Sequence, residues 1–200
     1  RKKTCKQFPR RGNMFRIFLS ILFFSFSLHI QASSRWTLHK IPGAYCGDGS
    51  EYHVYVTKGH SRKVAVGFEG GGACWNYSTC FGPMKLTSLS LSKSNPVNDG
   101  ILSPESPIND FMVLYIPYCT GDVHTGQHLA RYSGKTVNHF GKENVERVIE
   151  YVTQQNIIKW ESLQNIMVYG HSAGAIGALL HVATIDPLVT NAESKILTHR

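Results

Sequence analysis

Valine and aromatic residues crowd positions 52–57 and 63–68, and each run predicts a strand. Positions 111–117 are almost continuously apolar, which suits a strand buried on both faces of a parallel sheet. Between them, positions 87–110 are rich in Ser, Asn and Pro and read as loop with one short helix. Val145, Val148, Ile149 and Val152 recur at i, i+3, i+4 and i+7, so an amphipathic helix is predicted over roughly 142–155. A strand at 166–169, a small-residue helix from Ala173 to about Thr184 and a strand at 195–198 complete the pattern, with Pro187 stopping the helix. Strands that alternate with helices predict an α/β domain built on a mostly parallel sheet. No internal repeat or low-complexity tract interrupts it.

Charge changes the picture at one end of the chain. The 200 residues hold 21 Lys+Arg against 13 Asp+Glu, a formal +8, which by itself suggests a polyanionic partner. Seven of those bases, Arg1, Lys2, Lys3, Lys6, Arg10, Arg11 and Arg16, lie before residue 33, and the first acidic residue is Asp48. The rest of the chain therefore carries 14 bases against 13 acids, and nucleic acid is not an expected partner. The basic segment runs into the apolar stretch 17–28 and then into Ala32, Ser33 and Ser34, the layout of a secretory signal peptide cleaved near Ala32 to Ser34. Twelve residues are too few for a spanning helix, so no stable membrane anchor is expected. Met14 stands at the natural start of this signal. Residues 1–13 are expected to be upstream translation, residues 14–33 the signal, and residues 34–200 the N-terminal part of a single domain. The expected location is extracellular, or periplasmic in a bacterium.

Export makes disulfides plausible. Cys5 falls in the leader, which leaves Cys46, Cys74, Cys80 and Cys119, and spacing alone cannot choose among three pairings. No Cys-x-x-Cys pair or tight His/Cys cluster calls for a metal.

Two segments carry chemistry. Gly170-His171-Ser172-Ala173-Gly174 is a G-x-S-x-G pattern between an apolar strand and a helix, the setting of a nucleophile elbow in which a strained turn presents the serine hydroxyl. Phe68-Glu69-Gly70-Gly71-Gly72-Ala73-Cys74-Trp75 places a glycine run at the end of a predicted strand, where backbone N–H groups can turn toward a developing oxyanion. The matching donor from the elbow is the N–H of Ala173. No Gly-Lys-Ser/Thr follows the glycines, so they do not form a phosphate loop.

The chain resembles the pectin acetylesterase/Notum group of secreted carboxylesterases. The resemblance runs through Tyr45-Cys46-Gly47-Asp48-Gly49-Ser50, the segment from Phe68 to Asn76, Gly100-Ile101-Leu102-Ser103, the segment from Tyr115 to Val123, and the Gly170 to Gly174 elbow. It implies an α/β-hydrolase-like fold, with Ser172 as nucleophile and Gly71, Gly72 and Ala173 as oxyanion donors. It also implies that Cys46 pairs with Cys119 and Cys74 with Cys80. The implied activity is hydrolysis of carboxylic esters, acetylated polysaccharide or an acylated extracellular molecule, by a monomer that needs no metal or organic cofactor. His124 lies on a motif loop that borders the substrate pocket in that group, where the Notum branch has tryptophan.

A serine nucleophile needs a histidine base oriented by an acid, and in this fold class both follow the serine in the chain. Only 28 residues follow Ser172. Asp186 and His181 lie about 20 and 13 Å along the predicted helix by its rise, His171 should point away from the hydroxyl, and His199 ends a strand without an acid partner. The chain is therefore expected to hold the nucleophile and oxyanion hole of an esterase whose acid and base lie downstream, and to be inactive alone. The competing expectation is a secreted binding protein that keeps an esterase-like shell without catalysis. Elsewhere, Gly126 between His124 and His128 argues against a metal-binding helix. Asp122 is expected to stabilise its loop, Asn76-Tyr77-Ser78 is a glycosylation sequon, and Trp75 and Tyr77 are expected to pack.

Overall fold

The computed structural model describes residues 35–92, 95–97, 100–191 and 193–199; the side chains of Ser61 and of 193–199 lie outside the description, as do the leader and the signal. Residues Ser34–Arg200 form one compact unit. Its strands are β1 (Trp36–Tyr45), β2 (Glu51–Thr57), β3 (His60–Phe68), β4 (Phe111–Ile116), β5 (His128–Tyr132), β6 (Lys135–His139), β7 (Asn165–His171) and β8 (Glu193–His199). Its helices are α1 (Tyr77–Cys80), α2 (Gly141–Gln154) and α3 (Ala173–Ile185), and a short 3-10 turn at Gly100–Leu102 interrupts the long loop before β4.

Six strands form one mixed sheet in the order β1-β2-β4-β3-β7-β8. The first two pairings are antiparallel, and β4-β3, β3-β7 and β7-β8 are parallel. Alternation along each strand sorts side chains to two faces. Val64, Val66 and Phe68 of β3, with Ile166 and Val168 of β7, meet the Val145, Val148, Ile149 and Val152 stripe of α2. Ala65, Met167 and Tyr169 point the other way, toward Trp36, Leu102 and Ile108.

Helix α3 uses small residues to approach the sheet. Gly174, Gly177 and Ala178 are buried, while Ile176, Leu179 and Leu180 are exposed on its outer face. Helix α2 has no capping side chain of its own at Phe140. Asp122, 19 residues earlier, takes that role by accepting the Gly141 N–H at 2.7 Å.

Disulfides join Cys46 to Cys119 and Cys74 to Cys80. The first ties the turn after β1 to the segment after β4, and the second closes the glycine run onto α1.

Candidate active site

Ser172 occupies the single residue between β7 and α3, exposed, with φ 51° and ψ −125°. A positive φ is costly for any residue with a Cβ, and here the neighbouring glycines allow it. A Cβ on Gly170 would collide with the backbone of Gly174, and one on Gly174 would collide with the Phe68 carbonyl oxygen. The G-x-S-x-G spacing is thus the spacing at which strand, turn and helix touch without side chains between them.

Register brings the glycine run to the same place. Phe68 pairs with Gly170 in the β3-β7 ladder, so the chain leaves β3 for Gly70–Gly72 beside the turn that carries Ser172. Gly71 (φ 153°) and Gly72 (φ 73°) adopt conformations that favour glycine. The Leu86 carbonyl lies where a Cβ of Gly72 would be. Among the described residues, the N–H groups of Gly71, Gly72 and Ala173 donate to no protein acceptor. Free backbone donors beside an exposed serine at a helix N-terminus can stabilise negative charge on a bound oxygen.

The glycine run is held from outside. Glu69 N–H donates to the Ile116 carbonyl at 3.0 Å, and Cys74 N–H to the Gly121 carbonyl at 2.8 Å. The Glu69 carboxylate accepts the Tyr118 N–H at 2.8 Å, and its backbone carbonyl accepts Nε2–H of His124 at 2.8 Å. Burial pushes the Glu69 carboxyl up, partly offset by the Tyr118 N–H, the Tyr115 hydroxyl and nearby His171. The sequence gives no sign of this role, because a glutamate before glycines carries no recognisable spacing.

His124 is 2% exposed, and its ring packs behind the glycine run. Its ring meets Phe68 edge-on, centroids 5.3 Å apart, and burial lowers its pKa to about 4. Asp122 carries out its expected loop-stabilising role, accepting from the Thr120 hydroxyl and from the N–H groups of His124, Gly126 and Gly141.

Among the described side chains, no other acid or base assembles on Ser172. His181 is buried and donates Nε2–H to the His124 carbonyl at 2.7 Å, and burial lowers its pKa. Asp186 caps the far end of α3, about 20 Å from Ser172 by the helix rise. His171 turns away over Gly70 and, with Glu69, Tyr55, Tyr115 and Tyr169, lines a cavity of about 500 Å³ beside the strand ends. The buried Tyr169 hydroxyl there has no partner among the described residues. His199 pairs with His171 across β7-β8, which places its backbone level with the elbow.

Two aromatic residues flank the end of the glycine run. Trp75 is 61% exposed, just before the Asn76–Thr79 capping box of α1. Tyr77, also exposed, contacts Phe81 and lies 5.7 Å from the Lys135 ammonium. Cys74, Cys80 and His139 bring potential ligand atoms within 4.8 Å of one another, but the two sulfurs are bonded to each other. His139 spends Nδ1 on the Thr120 carbonyl and Nε2 on the Tyr132 hydroxyl.

Comparison with known proteins decides the family. The pectinacetylesterase family model matches residues 33–198. The chain belongs to that family. Palmitoleoyl-protein carboxylesterase NOTUM of Schmidtea mediterranea is 31% identical over 170 residues, covering 78% of this chain and 32% of the relative. Pectin acetylesterase 7 of Arabidopsis thaliana is 29% identical over 162 residues, covering 76% of this chain and 40% of the relative. The Wnt deacylase Notum from Drosophila superposes with a TM-score of 0.63 at 24% identity, covering 82% of this chain and 51% of that one, and so shares the α/β-hydrolase-like fold. The chain thus spans about half of the solved Notum and from 32% to 40% of these curated relatives.

Proposed function

We propose that the whole protein is a secreted serine carboxylesterase that removes acyl groups, acetyl first among them, from an extracellular polysaccharide or other ester. The observation that carries this is an exposed Ser172 at φ 51°, flanked by the glycine run and the start of α3. Ser172 Oγ attacks the ester carbonyl, the N–H groups of Gly71, Gly72 and Ala173 hold the oxyanion, and the alcohol leaves. Water then attacks the acyl-serine, releasing the carboxylic acid and regenerating Ser172. No histidine or acid among the described side chains reaches Ser172, and the Ser, acid, His order of this fold class assigns base and orienter to sequence downstream. The exposed Ile176, Leu179 and Leu180 face of α3 supports further chain packing there. Secretion is supported by the basic-apolar leader and the two disulfides, and among the described residues no helix is long and apolar enough to cross a membrane.

A serine-directed fluorophosphonate probe tests the assignment on the full-length protein. Labelling mapped to Ser172 and abolished by Ser172→Ala is the expected result. A full-length protein that folds and takes no label supports the second reading, an esterase-like shell without catalysis. Strong labelling of residues 34–200 alone contradicts the placement of the base downstream.

A further inference from the structure

We propose that His124 is a positioning residue for the oxyanion loop: by holding the Glu69 carbonyl, it keeps the N–H groups of Gly71 and Gly72 turned toward Ser172. The inference rests on the esterase reading above and adds to it a residue that touches neither substrate nor reacting atoms.

A run of three glycines has little conformational preference of its own, so its geometry must be imposed by what surrounds it. The hydrogen bond from His124 Nε2 to the Glu69 carbonyl fixes the peptide plane immediately before Gly70. That peptide's other end is the Gly70 N–H, so its rotation would swing the following glycine amides out of line. Because Nε2 faces a carbonyl, it carries the proton, and burial keeps the ring neutral in that tautomer.

His124 is itself held on every side. A Cβ on Gly177 of α3 would meet His124 Cδ2 at 2.8 Å, and the Tyr118 ring lies with its centroid 4.7 Å from that of His124. The His124 carbonyl accepts from His181, another residue of α3, and the His124 N–H donates to Asp122. Val123 N–H donates to the Tyr118 hydroxyl at 2.7 Å. These contacts sustain two consecutive non-glycine residues at positive φ, Val123 at 52° and His124 at 63°. A β-branched residue in that region is strained and persists only where its surroundings over-determine it. The strained corner aims one ring at the glycine run while seating it on the helix that Ser172 begins. One side chain thereby couples the two sources of oxyanion donors, Gly71/Gly72 and Ala173.

The test uses the full-length protein with His124→Phe, His124→Asn and His124→Gln, and p-nitrophenyl acetate as substrate. Active sites are counted by fluorophosphonate titration, so that loss of folded protein does not register as loss of rate. Phe keeps the ring and removes the donor; kcat per titrated site should fall at least about tenfold while KM stays within about twofold. Gln places an amide nitrogen where Nε2 stands and should restore kcat to within about threefold of the parent, whereas Asn, which reaches only the Nδ1 position, should resemble Phe. Should the Phe variant fail to fold, Gln against Asn carries the comparison. Unchanged kcat per site in His124→Phe, or equal kcat in the Gln and Asn variants, overturns the proposal. Labelling that survives Ser172→Ala overturns the esterase reading instead.

Discussion

Ser172 and His124 share an unusual property, positive φ without being glycine, yet the molecule holds the two corners by opposite means. At Ser172 the turn is permitted by absence: Gly170 and Gly174 leave no Cβ where strand, turn and helix meet. At Val123–His124 the turn is enforced chiefly by presence, through Asp122, the Tyr118 hydroxyl and His181, with Gly141 and Gly177 leaving room for His124. A corner made by removing side chains leaves a periodic glycine signature in the sequence. One made by hydrogen bonds from residues scattered between 118 and 181 leaves none.

That difference predicts how each corner breaks. The largest effect belongs to the elbow, where Gly174→Val drives a branched side chain into the Phe68 and Glu69 carbonyls. It should cost about 3 kcal/mol or more and be seen as a lowered midpoint in urea unfolding. The hydrogen-bonded corner should fail more gently. Asp122→Ala removes the acceptor of the Thr120 hydroxyl and of three N–H groups, including that of Gly141, which it caps at the start of α2. A loss of about 2 kcal/mol is expected by the same measurement, with Asp122→Asn recovering part of it.

A smaller and graded effect follows from pH. His124 is held near pKa about 4 in the fold, against about 6.5 in an unfolded chain, so folding favours the neutral ring. Its contribution is complete above about pH 6.5, declines as pH falls toward about 4 and then levels, amounting to as much as about 3 kcal/mol. His181, also lowered by burial, acts in the same direction. Glu69, raised by burial, acts in the opposite one, adding stability as pH falls through its raised pKa. These groups and Asp122 surround the His124 ring and backbone, so the clean readout is a difference. The acid decline in thermal unfolding temperature should be shallower in His124→Gln than in the parent.

The same contrast explains what the sequence discloses. Strands β3, β4 and β7, helix α2 and the elbow are legible because each serves one buried face or one steric demand. Strand β1 is not, because it is an edge strand that buries only Trp36, Ile41 and Ala44, without strict alternation, and its pairing shifts between Lys40 and Tyr45, around Pro42 and Gly43. The β5-β6 hairpin is equally quiet: only Val137 and His139 of its strands are buried, and its turn uses Ser133 and Gly134, both at positive φ, in place of the stronger Asn-Gly pair. In the site, the residue types of the elbow and glycine run are readable. The placing of His124 behind the loop is not, since nothing in its neighbours' identities tells a pocket wall from a buried strut.

The central claim is that Ser172 forms a covalent acyl intermediate beside the glycine run. It is met most directly by mixing the full-length protein with p-nitrophenyl acetate, quenching in acid within the first turnover, and mapping the acetylated peptide by mass spectrometry. One acetyl group on Ser172, absent from Ser172→Ala together with the burst of nitrophenolate, is the predicted result. An acetyl group on another residue, or an undiminished burst in Ser172→Ala, would contradict it.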